Sequence, residues 1–225
     1  HDWLIAHLPR YSPYMAAMAP VIRLRDIVPG AAWLSEKLTG FTARRPLPRW
    51  QRKWFRDNEL PQTPNEGVIS TTEKPPLLLF IDSFNRYFEP ENLRAAIRVF
   101  QASGYDMFVP SPPDNGRPLC CGRTYLSTGL IDCARDEAGR LATTLAPFAR
   151  AGIPIVGLEP SCTLALRDEI PALLNNQDSK DVASTTLTFE ELLARDKPIL
   201  SLRSNKSKAL LHGHCHQKAF DAVKP

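Results

Sequence analysis

Two hydrophobic patterns divide the chain. From Leu77 onward short apolar runs alternate with amphipathic stretches. "PLLLFID" suits a buried strand, and "EPENLRAAIRVFQASG" sets Leu93, Ala96, Ile97 and Phe100 on one helical face that ends at Gly104. "YDMFVP" reads as a second strand, "GLIDCARDEAGRLATTLAPFARAG" as a long amphipathic helix closing at Gly152, "IPIVGLEP" as a third strand, and "TLALRDEIPALL" as the helix after it. Strands alternating with helices of this length predict an α/β fold, a parallel sheet with helices on both faces, because right-handed crossovers are the easy way to join such strands. A fourth strand is expected in "KALLHGHCHQKAF", with His212, His214 and His216 on one face and Cys215 on the other; "HQKAF" can instead open a helix.

Residues 1–56 follow another pattern. "DWLIAHL", "YMAAMAPVIRLRDI" and "AAWLSEKLTGF" have helical spacing but are broken by Pro9, Pro13, Pro20 and Pro29. Proline inside a helix removes a hydrogen bond and clashes with the preceding turn, so a short all-helical segment of angled helices, without a core of its own, is expected to precede the sheet. The polar, proline-bounded stretch at residues 57–76 reads as a linker, residues 77–200 as the α/β domain, and residues 201–225 as the start of a further unit.

Composition narrows the class. With 225 residues, 43% hydrophobic and 23% charged, the chain is long enough to bury a core and resembles an ordinary globular protein. Its formal charge of +4 and pI near 8.9 read as scattered Lys and Arg, without a dense basic block or aromatic-basic interleaving, so nucleic acid is not an expected partner. No apolar run is long enough for a transmembrane segment and no signal peptide opens the chain. Beginning at His1 without methionine, it is expected to be a piece of something longer. There is neither a GxGxxG fingerprint nor a P-loop.

The unusual chemistry lies in the cysteines, at 120, 121, 133, 162 and 215. An odd number in a chain of this size does not form a secreted disulfide framework, which points to a reducing cytoplasm. Adjacent cysteines are also poor disulfide partners, because the small ring strains the peptide between them. Cys120 and Cys121 follow the second strand and Cys162 the third, so the sheet brings them to the edge formed by the strands' carboxyl ends, with Cys215 as a fourth candidate. Soft thiolates select zinc or iron–sulfur centres, although structural zinc sites usually space their ligands two to four residues apart. His212 and His216 are further candidate ligands. Cys133, inside a helix, reads as a space-filling residue. Asp82, Glu89, Glu91, Glu159, Asp168 and Glu169 fall near strand ends or in first helical turns, where they suit the helix dipole, and no pair has the spacing of an acid/base couple.

Taken in order, "FNRYFEPENLRAAIRVFQASGYDMFVP", "LCCGRTYLSTGLIDCARDEA", "GIPIVGLEPSC" and "LLHGHCHQKA" resemble the cysteine-rich CCG domain of iron–sulfur oxidoreductases over residues 77–225. The nearest likeness is to the C-terminal part of fused bacterial FAD-linked oxidases of the D-lactate, glycolate or D-2-hydroxyglutarate type. The resemblance implies a CCG-type repeat whose Cys120, Cys121, Cys162 and Cys215 hold a [4Fe-4S] cluster. FAD would sit in a missing N-terminal domain, and electrons would pass from flavin through iron–sulfur centres to a quinone, cytochrome or carrier protein. It makes residues 1–56 a connector from a missing ferredoxin-like domain and residues 201–225 the start of a truncated second CCG repeat. No catalytic residue is expected within this chain. Ser83 stands where the family has its leading cysteine, so the cluster is expected to be absent or incomplete here. Gly122 would let the backbone approach the cluster, with Arg123 or Thr124 donating to sulfur. A cytoplasmic protein is implied, with peripheral association at the inner membrane left open. A cluster-free docking module with relic cysteines and a zinc-binding structural module stand as alternatives.

Overall fold

The computed structural model describes residues 1–60, 74–113, 116–203, 207–208 and 210–220. Five short helices come first: α1 (Asp2–Ala6), α2 (Leu8–Ala17), α3 (Ala19–Ile22), α4 (Leu24–Ile27) and α5 (Ala31–Thr39). Pro9 and Pro20 lie in the first turns of α2 and α3, where a missing N–H costs nothing, and Pro29 falls in the turn between α4 and α5. Pro13 is carried inside α2. The buried side chains of this segment pack on the rest of the molecule: Ala16, Ala19 and Trp50 with Tyr87 and Phe88, and Ala6 with Tyr125 and Ala134. Residues 57–60, at the start of the expected linker, are tied down as well. Asp57–Glu59 form a 3₁₀ turn, Leu60 joins the core, Asp57 pairs with Arg86 at 2.6 Å and Glu59 with Arg94 at 2.8 Å.

The remaining elements are β1 (Pro76–Phe80), α6 (Ser83–Tyr87), α7 (Pro90–Ala102), β2 (Asp106–Phe108), α8 (Arg123–Ser127), α9 (Ile131–Arg150), β3 (Ile155–Gly157), α10 (Pro160–Ala165), α11 (Glu169–Leu174), α12 (Gln177–Thr185), β4 (Thr186–Thr188), α13 (Phe189–Asp196) and α14 (Cys215–Ala219). The four strands pair in parallel in the order β2-β1-β3-β4. The fold is the expected α/β architecture. Alternation along β1 shows why both faces are covered. Leu78 and Phe80 point into a core with Leu141, Leu145, Ile170 and Val182 from α9, α11 and α12. Leu77, Leu79 and Ile81 point the other way, to Leu93, Ile97 and Phe100 of α7 and Leu192 of α13.

The fourth strand is not where the sequence suggested. It is Thr186–Thr188, only three residues long, followed at once by α13, whose Thr188 and Glu191 close a reciprocal capping box. In "KALLHGHCHQKAF" the described residues form no strand. Leu210 and Leu211 are fully exposed, so the run has no buried face to hold it in a sheet. His214 instead caps α14, its Nδ1 accepting from the His216 N–H at 3.1 Å while Gln217 accepts from the His214 N–H at 3.2 Å. Three histidines on one strand face therefore do not occur. The helix expected from "TLALRDEIPALL" is two helices, α10 and α11, broken at 166–168.

Candidate functional site

In the order β2-β1-β3-β4 the chain turns one way from β1 to β2 and crosses back past β1 to reach β3. The crevice beyond the carboxyl ends of β1 and β3 is thus the switch point at which open parallel sheets place their ligands. Asp82 and Ser83 leave β1 there, and Glu159 to Cys162 leave β3. Both exits are helix N-termini capped by an acid. Asp82 accepts from the Phe84 and Asn85 N–H groups at 2.9 and 2.8 Å, and Glu159 from the Ser161 N–H at 3.3 Å. Burial outweighs these bonds at Asp82, with Glu159 adding to it, so its carboxyl titrates above the usual range.

The loop after β2 delivers the adjacent cysteines to the same place. Cys120, Cys121 and Cys162 are all buried in one cluster with Leu78, Phe80 and Leu141. Cys121 is coupled in its titration to both of the other thiols. The hydrogen bond to Cys121, then burial, raises Cys120 well above the usual thiol range. At Cys121 the bond from Cys120 favours the thiolate, but the bond to Cys162 together with burial prevails and its pKa also lies well above that range. At Cys162 the bond from Cys121 pulls down, yet burial carries it up to about 11. The three thiols are thus coupled to one another through Cys121. They are protonated at neutral pH, and the negative charges of Asp82 and Glu159 push Cys162 further in that direction.

Local geometry explains the CCG sequence. Gly122 has φ +77°, a left-handed conformation that favours glycine, and a Cβ there would meet Ala134 O at 3.1 Å and Glu137 Cβ at 3.4 Å. This conformation aims the Gly122 N–H at Cys120 Sγ, 3.5 Å away, and the Arg123 N–H favours the thiolate form of Cys121. The loop is clamped against α9. Buried Glu137 takes a two-pronged bond from Arg117, one arm at 2.6 Å, and lies 3.6 Å from Arg140, which donates to the carbonyls of Arg117 and Pro118. Glu137 was not singled out from the sequence. Its signal is a charge on the buried stripe Ala134, Ala138, Leu141, Leu145 of α9.

Other expected participants lie elsewhere. Thr124 Oγ1 donates to Ala6 O at 2.9 Å, and the Arg123 guanidinium pairs with Glu169 and His216, so neither side chain donates to a cysteine sulfur. Cys215 opens α14, which packs against α10, but it is exposed and outside the buried cysteine cluster. His212 is exposed, and His216 lies 3.3 Å from Glu169, which with Arg123, Leu126 and Leu173 lines a cleft of about 500 Å³. Cys133 sits half-buried on α9 beside Tyr125. Ser83 is buried at the first turn of α6.

The donor set suits an iron–sulfur group in kind, with three soft, buried sulfurs, one of them receiving a backbone N–H. It does not enclose one. Among the described residues no group of three or more His, Cys, Asp or Glu side chains is disposed to hold a metal ion. Among those residues no helix is long and apolar enough to cross a membrane.

No family model matches the chain, and no solved structure matches it. The chain is similar to one subunit of the anaerobic glycerol-3-phosphate dehydrogenase of Escherichia coli, 23% identical over 227 residues, 96% of this chain and 53% of the relative. It is also similar to the D-2-hydroxyglutarate dehydrogenases of Pseudomonas putida (29% over 175 residues, 75% of this chain and 16% of the relative) and of Escherichia coli (22% over 225 residues, 95% and 21%). The chain therefore spans about half the length of the first of these relatives and about a fifth or less of the other two. Its likeness is to segments of oxidoreductases.

Proposed function

We propose that the chain is the cysteine-rich electron-transfer segment of an FAD-linked oxidoreductase acting on a D-2-hydroxy acid, with Cys120, Cys121 and Cys162 as thiolate ligands of an iron–sulfur cluster. The observation that carries this reading is the burial of Cys120, Cys121 and Cys162 in one cluster at the sheet's switch point. Likeness along nearly the whole chain to an oxidoreductase subunit supports it. Cys215 would supply a donor from the second repeat. A bound cluster would accept and release single electrons. The chain's own residues would hold the sulfurs: Gly122 turns the backbone so that its N–H faces Cys120, Glu137 fixes the loop through Arg117, and the apolar side chains around the three cysteines exclude water. Ligation requires the thiols to lose protons that burial makes them keep, so the charge of the incoming iron must outweigh that cost.

The test is iron, sulfide and zinc content, with an absorption spectrum, on anaerobically reconstituted protein lengthened past Pro225 through a full second repeat. Iron and sulfide that both disappear in Cys121→Ala are expected. A colourless, metal-free protein would overturn the reading in favour of a cluster-free docking module, which Ser83 and the lack of an enclosed ligand set favour. Zinc without sulfide would point to a structural metal site.

A further inference from the structure

The first 56 residues hold ten Lys and Arg against three Asp and Glu, a net of +7, which leaves −3 for the rest of the chain. Six of these cations fall within residues 44–56, so they are not scattered as the composition of the whole chain suggests. Arg44, Arg45, Arg49, Arg52, Lys53 and Arg56 are all exposed on the irregular stretch after α5. Arg56 stacks on Trp54 at 4.5 Å, and the acids that follow, Asp57 and Glu59, are occupied by Arg86 and Arg94. The ridge borders an apolar patch. Trp33, Leu34 and Leu38 of α5 are more than half exposed, and Arg25 ties α5 to the ridge by bonding Ser35 Oγ at 3.2 Å and the carbonyls of Thr42 and Arg45 at 2.8 and 3.4 Å. An apolar patch with aromatic residues, rimmed by arginine, has the composition of a protein interface.

The ridge also abuts α6, the helix that leaves β1 at the switch point. The Gln51 and Phe55 N–H groups bond to the carbonyls of Tyr87 and Arg86 at 2.9 and 3.0 Å, so this stretch runs along the far end of α6. That helix starts at Ser83, roughly 6 Å away by helical rise, and its cap Asp82 acts electrostatically on Cys162. We propose that the exposed cations of residues 44–56, with the apolar face of α5, form the docking surface for an acidic electron-carrier protein. This rests on the electron-transfer reading and adds the class of partner. Weak electron-transfer complexes use small interfaces steered by opposite charge. A helix lying on a membrane carries its cations on its own polar face, whereas most of these cations sit on irregular chain, which favours the protein partner.

The experiment titrates the 225-residue chain with a fluorescently labelled acidic ferredoxin and follows anisotropy at low and high salt. Binding is expected, and it should weaken about tenfold or more as the salt rises from roughly 20 to 200 mM. The triple variant Arg45→Glu, Arg49→Glu, Arg52→Glu should lose at least about tenfold in affinity. A charge-matched control, Arg98→Glu, Arg135→Glu, Lys180→Glu, should lose less than about threefold. Circular dichroism establishes that both variants are folded. Equal losses in the two variants, or no salt-dependent binding, would overturn the inference. So would flotation of the chain with phosphatidylglycerol vesicles together with no ferredoxin binding. The complex is read without regard to iron: iron-loaded protein that binds no ferredoxin removes this inference alone, whereas iron-free lengthened protein removes the electron-transfer reading and leaves a measured complex standing.

Discussion

The helical segment and the sheet domain treat apolar residues in opposite ways. Between Leu77 and Leu192 the large apolar side chains are inside, and only Phe84, Leu130 and Ile131 are exposed among the described residues of that span. In the first 39 residues Trp3, Tyr14, Met18, Val21, Leu24, Ile27 and Trp33 face out. Along α2 to α4 the exposed set Tyr14, Met18, Val21, Leu24, Ile27 recurs every three or four residues, beside a second set, Tyr11, Met15, Ala19 and Ile22, that packs on Trp50, Tyr87 and Phe88. The sheet domain buries its large apolar side chains, whereas the helical segment leaves many of its own exposed.

Substitutions sharpen this contrast in descending order of effect. Leu141→Ala, in the wholly buried stripe of α9, should cost about 2–5 kcal/mol in chemical denaturation. Gly157→Ala should cost about 1–3 kcal/mol, since a Cβ there falls 2.2 Å from Thr163 Oγ1 and must push α10, with Cys162, off the end of β3. Asp82→Ala should cost about 0.5–2 kcal/mol through the lost cap, while Asp82→Asn, which can still accept from the same N–H groups, should cost less in the same assay. Glu59→Gln tests the strap between the two regions. Arg94 holds the Glu59 carboxyl below its usual range, so the pair's contribution is present above the unfolded pKa and lost as pH falls through the folded one. The substitution should cost roughly 0.2–1 kcal/mol at pH 7 and close to nothing in strong acid, read from melting curves at both pH values. Leu38→Ala, on the exposed face of α5, should stay within about 0.5 kcal/mol. A loss there as large as that at Leu141 would break the comparison and show that the helical segment is covered in solution.

How much of this was legible in the sequence depended on periodicity. β1, α7, α9 and the direction of the sheet followed from long runs of clear period, and the shared edge of Cys120, Cys121 and Cys162 followed from that direction. β4 was missed because three residues carry too little pattern, although Thr188 and Glu191 spell a capping box. The histidine strand was misread because alternation of "HGHCH" has no meaning without a buried partner, and the cap made by His214 and Gln217 settles the matter locally. The basic ridge was legible but misread as scattered charge: "RRPLPRWQRKWFR" at residues 44–56 holds six Arg and Lys interleaved with Trp50, Trp54 and Phe55. Glu137 lay outside reach for another cause: its meaning depends on Arg117, twenty residues earlier.

The strand order fixes a calendar as well as a shape. The pair at 120 and 121 leaves the ribosome about forty residues before Cys162, roughly 2–8 s at ordinary rates of synthesis. Throughout that interval β1 has only β2 beside it, and the crevice lacks the wall that β3 and α10 will provide. The nascent chain therefore presents two adjacent thiols without their third neighbour, open to oxidants and stray metals, until β3 closes against β1 and buries them together.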